Sequence, residues 1–223
     1  MAKTQKKEKK DVVSYTLNEA LKKAKSSAKT KFDSTIEIHV NLSLNTEKIE
    51  QPVRFTTVLP KGTGRAVKVA VFASKNVKSA DLNLSESDIL KIEKGEIKPK
   101  VDFDVLISEP TYMSKLAKVA KILGPAGVMP NPKNGTVTEN VEKAVEQVKR
   151  GKIDVKMEQT APVLHTMLGK QSFSIEDLIA NFNEFFSTLK QNRPSKAAPN
   201  WIKSIFISST MGPSFKLDLK DRV

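Results

Sequence analysis

The run Gly124-Pro125-Ala126-Gly127-Val128-Met129-Pro130-Asn131-Pro132-Lys133-Asn134-Gly135 holds three glycines and three prolines. Proline lacks an amide donor and fixes one backbone angle, so neither a helix nor a central strand runs through such a segment. It reads as an irregular surface loop joining two regular elements. On its N-terminal side Met113, Leu116, Ala117, Ala120 and Leu123 recur at helical spacing, predicting a helix over 111–123. On its C-terminal side Thr138 is placed to cap a helix bearing Val141, Ala144, Val145 and Val148, with Gly151 at its end.

Further outward, 67–72 and 104–108 are apolar runs of strand length, each followed by a helical pattern. That alternation predicts β-α units around a parallel sheet. Ser85 and Asp88 can cap a short helix carrying Ile89, Leu90 and Ile92. The middle of the chain is therefore α/β in pattern.

Both ends read differently. Thr16 and Glu19 form a capping box ahead of Leu17, Ala20, Leu21, Ala24 and Ala28. Ile36, Ile38, Val40 and Leu42 then alternate with Glu37, His39 and Asn41, predicting a strand with one polar face. A second strand is predicted over 53–59, after which Pro60, Gly62 and Gly64 interrupt the chain as a candidate hinge. Ile153, Val155 and Met157 alternate as a strand. Ser174 and Asp177 cap a helix with the apolar stripe Ile175, Leu178, Ile179, Phe182, Phe185, Phe186 and Leu189. Segments 201–208 and 215–219 read as paired strands.

Lys and Arg number 38 against 25 Asp and Glu, a formal charge of +13 over 223 residues. Such an excess favours a polyanionic partner, nucleic acid first and an anionic membrane surface second. There is no cysteine, which excludes disulfides and thiolate metal sites. Residues 1–11 carry Lys3, Lys6, Lys7, Lys9 and Lys10 with no apolar segment behind them, so a flexible basic tail and a cytoplasmic location are expected.

Catalytic chemistry has little to draw on. His39 and His165 are the only imidazoles, and the sequence presents them as an exposed strand residue and a structural loop residue. Lys61-Gly62-Thr63-Gly64-Arg65 lacks the spacing of a nucleotide phosphate loop. The loop 124–135, beside Lys118, Lys121 and Lys133, either presents amides to phosphate or is an ordinary basic loop. Phe32 either joins the core, which packing favours, or stacks on a base, and 208–212 is either a hairpin turn or a close-contact surface.

With Lys121-Ile122-Leu123 before it and Thr136-Val137-Thr138 after it, the central loop resembles the signature of the universal L-one family of large-subunit ribosomal proteins. Lys31-Phe32-Asp33-Ser34-Thr35, Val53-Arg54 with the run Val58-Leu59-Pro60-Lys61-Gly62-Thr63-Gly64, and Ser208-Ser209-Thr210-Met211-Gly212-Pro213-Ser214 resemble its other motifs in the same order. The resemblance spans nearly all of the chain after the basic start.

It implies an α/β protein of two domains. A discontinuous α+β RNA-binding domain would span 1–62 and 157–223, and an inserted Rossmann-like three-layer α/β domain 63–156, with Gly62 and Gly64 as the hinge. By resemblance Lys31, Phe32, Thr35, Glu37, Lys170, Ser209, Thr210, Met211 and Gly212 inherit the main RNA surface. Lys121, Gly124, Gly127 and Lys133 form a secondary RNA-contact loop.

The implied role is not enzymatic and uses no cofactor or metal. The protein would be a monomer outside the ribosome. Within the large subunit it would bind rRNA, form the mobile stalk beside exit-site tRNA and assist its release. It would also repress its own mRNA, and it would have no membrane partner. Two departures bear on this: Thr160 and Pro162 stand where the family has lysine and glycine, and the segment between Ser79 and Ile89 is short. The competing readings are a nucleotide-dependent enzyme built on the middle domain and a free RNA-binding regulator. The former predicts saturable nucleotide binding at the strand ends.

Overall fold

A computed structural model describes residues 13–44, 52–158, 160–194 and 197–219. The expected flexible tail, 1–11, lies outside the described residues. The chain divides into two compact units, one containing 1–52, 157–179 and 195–223, the other 53–156 and 180–194. Both are mixed α/β.

In chain order the strands and α-helices are β1 (Ser14–Tyr15), α1 (Leu17–Ser27), β2 (Thr35–Leu42), β3 (Arg54–Val58), β4 (Val69–Phe72), β5 (Leu82–Leu84), α2 (Glu86–Lys94) and β6 (Val105–Ser108). There follow α3 (Met113–Leu116), α4 (Ala120–Leu123), α5 (Val141–Lys149), β7 (Lys152–Lys156), β8 (Val163–Lys170), α6 (Ile175–Gln191), β9 (Ile202–Ser209) and β10 (Ser214–Leu217).

The first unit is a five-stranded sheet of order β1-β10-β9-β2-β8. It is antiparallel except where β1 runs parallel to β10. β2 lies between β9 and β8, and its alternation buries Ile36, Ile38 and Val40 completely, together with Leu164, Leu168, Ile205 and Ile207 of those neighbours. α1 packs on β9 and β10 and buries Leu17, Ala20, Leu21 and Ala24. Its first turn is closed by the expected box: Glu19 N–H donates to Thr16 Oγ1, and Thr16 N–H donates to the Glu19 carboxylate.

The second unit is built on a parallel sheet of order β5-β4-β6, with β3 and β7 as a separate antiparallel pair. One face of the parallel sheet carries Ala70, Phe72 and Leu106 against Ile89, Ile92, Leu116 and Leu123. The other carries Val69, Val71 and Ile107 against Val141, Ala144, Val145 and Val148 of α5. No helix connects β4 to β5, and Val77 of that connection packs with α5 instead. The short stretch noted in the sequence, between Ser79 and Ile89, holds β5 and the first turn of α2.

Other expectations need correction. The helix expected over 111–123 is a succession of 3₁₀ turns and the short α3 and α4. The N-cap position of α5 is Asn140 rather than Thr138, and its side chain makes no cap hydrogen bond; Thr138 Oγ1 accepts the Asn140 N–H just ahead of the helix. β8, which was not expected, forms because its residues complete β2 on its free side.

Candidate nucleic-acid interface

The two sides of β2 have different neighbours because side chains alternate across a strand. Thr35, Glu37, His39 and Asn41 share one face, opposite Lys170, Met167, His165 and Val163 of β8. On the β9 side Glu37 faces Ser208, His39 faces Phe206 and Asn41 faces Ser204. Of the residues nominated from the sequence, this polar face bears Thr35, Glu37 and Lys170.

Its upper end is a connected set of hydrogen bonds. Thr210 N–H donates to Thr35 O at 2.9 Å, and Thr210 Oγ1 donates to Glu37 Oε1 at 2.9 Å. Lys170 Nζ donates to Thr35 Oγ1 at 3.0 Å. Four of the nominated residues, far apart in sequence, therefore touch one another. Holding Glu37 as an acceptor for Thr210 and placing Lys170 on Thr35 leaves a patch that is close to neutral, and such a surface suits contacts to ribose hydroxyls as well as phosphates.

The turn from β9 to β10 completes the patch. Met211 adopts φ +64°, a left-handed conformation rare outside glycine, and its side chain is 90% exposed. Gly212 is required next to it, since a Cβ there would lie 2.1 Å from Ser209 Oγ. Ser209 Oγ is buried and makes no hydrogen bond. Met211 is thus held outward, in a left-handed conformation, beside a buried hydroxyl without a hydrogen bond.

Lys31 and Phe32 stand in the loop immediately before Thr35. Packing favoured the core for Phe32, and the structure overturns that: the ring is 58% exposed. The loop is held from beneath, because Asp33 accepts Ser172 N–H and Oγ–H, and Ser34 Oγ donates to Gln171 Oε1. Phe32 is thus presented by a fixed frame.

Lys121, Gly124, Gly127 and Lys133 belong to the other unit. Asn131 and Thr136 pin their loop internally, with Asn131 N–H donating to Thr136 Oγ1 at 2.7 Å and Lys133 N–H to Asn131 Oδ1 at 2.9 Å. Lys121 and Lys133 are exposed, and Gly127 and Gly135 supply left-handed turns. Gly62 and Gly64 also have positive φ, and Asn181 brackets the first of them by accepting Lys61 N–H and donating to Gly62 O.

Sequence reasoning missed two features of the polar face. Met167, 40% exposed beside Glu37, was not nominated. His165 is a strand residue, not a loop residue, and pairs with His39 across β2 and β8. β8 was illegible because its register with β2 shifts between Ile36 and Glu37, which breaks the simple alternation. At the doubted departures, Pro162 O accepts Leu42 N–H at 2.8 Å and Thr160 is exposed.

The nucleotide reading meets a crevice whose amide and hydroxyl donors are already engaged. In an open parallel sheet the ligand position lies beyond the strand ends where the order reverses, here between β4 and β6. At that point Ser74 N–H and Oγ–H donate to the Glu109 carboxylate at 3.1 and 2.6 Å, so an acidic side chain takes the donors a phosphate would need. Glu139 and Glu142 line the same crevice, together with Lys75 and Lys143. Among the described residues no group of His, Cys, Asp or Glu could hold a metal ion, and no helix is long and apolar enough to cross a membrane.

The chain is basic and folds into two units, the first of which carries a fixed, near-neutral polar patch. In comparison with known proteins, the Ribosomal protein L1p/L10e family matches residues 21–213, and the chain belongs to that family. It is 42% identical over 211 residues to the large ribosomal subunit protein uL1c of Pyropia yezoensis, covering 92% of this chain and 90% of that one. It is 41% identical over 210 residues to the large ribosomal subunit protein uL1 of Mesoplasma florum, with 92% and 91% covered. The counterpart in Prochlorococcus marinus is 42% identical over 212 residues, with 92% and 88% covered.

Proposed function

We propose that the chain is a structural constituent of the large ribosomal subunit that binds large-subunit rRNA through the polar face of its first unit. The observation that carries this reading is the hydrogen-bonded set Lys170, Thr35, Thr210 and Glu37 beside the outward Met211. A fixed donor and acceptor array with exposed Phe32 and Met211 suits an RNA whose shape, rather than charge alone, is recognised. Lys31 supplies phosphate affinity, and Ser209 and Gly212 let the backbone approach closely.

In this reading the domain boundaries fall near residues 62 and 157, Gly62 and Gly64 act as the hinge, and the inserted domain swings as a stalk beside exit-site tRNA and assists its release. The loop bearing Lys121, Gly124, Gly127 and Lys133 makes secondary RNA contacts. The free protein is a cytoplasmic monomer that represses its own mRNA by binding a similar RNA shape. Cross-linking the chain to total RNA and sequencing the attached fragments tests the central claim. Recovery of one large-subunit rRNA segment is expected, and equal recovery of unrelated RNA would overturn it. Footprinting of the protein's own message tests repression, and an unprotected leader and coding region would remove that role.

A further inference from the structure

The polar face does not stop at Glu37. His39 Nδ1 lies 2.7 Å from His165 Nδ1, with ring centroids 4.9 Å apart, and His39 Nε2 lies 2.9 Å from Ser208 Oγ. Glu37 Oε2 is 3.8 Å from His39 Nε2, and Glu158 Oε1 is 3.6 Å from His165 Nε2. A continuous polar ribbon therefore runs from Thr210 through Glu37, His39 and His165 to Glu158. Below it Asn41 Nδ2 donates to Ser204 Oγ at 3.0 Å.

We propose that the RNA interface extends from the Thr210 turn down this sheet face to the His39–His165 pair, and that RNA bound there is coupled to uptake of a proton by the pair. The inference deepens the rRNA-binding reading and rests on it. Three observations point to the same occupant. The ribbon adjoins the Thr210 and Glu37 patch, since Glu37 accepts Thr210 Oγ1–H through one carboxylate oxygen and lies 3.8 Å from His39 Nε2 through the other. It offers the mixed donors and acceptors that ribose and phosphate oxygens use. Met167 and Phe206 add apolar area between the polar groups, with Met167 beside Glu37 and Phe206 beside His39.

The proton coupling follows from charge. An Nδ1 to Nδ1 contact of this length needs one proton between the two nitrogens, so the neutral pair satisfies it with one ring donating and the other accepting. Burial, then the neighbouring His165, holds His39 below the ordinary imidazole range, while Glu37 opposes both. Two carboxylates, Glu37 and Glu158, flank the neutral pair. One added proton is shared by rings whose outer nitrogens already face those carboxylates, and it halves the net negative charge. The other charged groups on these strands are Lys170, which bonds Thr35; Lys216 on β10, in register with Phe206; and Lys203 on the opposite face of β9. Among the described residues β9 places no titratable side chain against the pair; its contact is Ser208. RNA phosphates approaching the face disfavour the doubly anionic state, so binding draws a proton in.

The experiment is a titration of full-length protein with a large-subunit rRNA fragment at fixed salt, at pH 7.5, 6.5 and 5.5, beside the His39→Gln/His165→Gln double variant and the single His165→Gln variant. Wild-type affinity is expected to rise about fivefold from pH 7.5 to 5.5, with the rise lost in the double variant. Imidazole proton NMR shifts are expected to titrate at higher pH in the RNA complex than in the free protein. Specific binding with the same pH profile in wild type and double variant would overturn this proposal and leave the rRNA reading standing. Absence of preference for the rRNA fragment over random RNA at every pH would overturn both. His165 is the more exposed of the two, so its single variant supplies the comparison should the double variant fold poorly.

Discussion

Gly62 and Gly151 meet backbone to backbone: a Cβ on Gly151 would lie 2.6 Å from Gly62 Cα, and Gly151 holds φ at +105°. Leu59 N–H donates to Gly151 O at 3.1 Å, so the contact sits where the β3 and β7 ladder ends. The neighbour to be displaced is main chain, and no rotamer change can relieve it. Gly151→Ala is expected to destabilise the protein by about 2–4 kcal/mol, whereas Gly127→Ala, also left-handed but in open space, costs about 1 kcal/mol. Chemical denaturation midpoints check the ranking, and equal losses would contradict the crowding argument.

Thr210 connects two strands and orients Glu37. Thr210→Val removes the hydroxyl while keeping shape, so specific rRNA affinity should fall about tenfold, a loss comparable to that from Met211→Asp. Lys133→Ala, in the other unit, should cost less. Gel-shift titrations at one salt concentration measure all three, and equal losses would refute the division of labour.

Phe32 is exposed on a pinned loop and buries little in the folded chain. Phe32→Ala should change unfolding free energy by less than about 0.5 kcal/mol yet weaken RNA binding by about 1–3 kcal/mol, the worth of one base stacked on an aromatic ring. A stability loss as large as the binding loss would return this ring to a packing role.

Lys170 tests how the patch uses charge. If it touches a phosphate when RNA is bound, Lys170→Ala should lower the slope of log affinity against log salt by about one. An unchanged slope with weaker binding would assign it to positioning Thr35 instead.

Asp88 closes the first turn of α2. It accepts Ser85 N–H and Lys91 Nζ, and its carboxyl, held down chiefly by Lys91, titrates at about 2. A depressed folded value means that its contribution is present above the unfolded pKa of about 4 and is lost as pH falls through 2. Asp88→Ala should cost about 0.5–1 kcal/mol at pH 7, a modest figure because the site is solvent-screened. The difference from wild type should shrink between pH 4 and 2, as followed by thermal unfolding.

Much of the fold is written locally. Capping boxes at Thr16 and Ser85, the two-residue alternation of β2 and the proline-broken loop at 124–135 each depend on neighbours within a few residues, so their types could be read directly. What local pattern could not supply was partnership. Phe32 looks apolar enough for a core, and only the frame made by Asp33, Ser34, Gln171 and Ser172 turns it outward. His39 and His165 stand 126 positions apart, and no spacing rule pairs them; the antiparallel register of β2 with β8 does. Residue chemistry and resemblance nominated the patch, while long-range hydrogen bonding between strands from both ends of the chain decided which of those groups touch, because register is set by the packed sheet and not by any single segment.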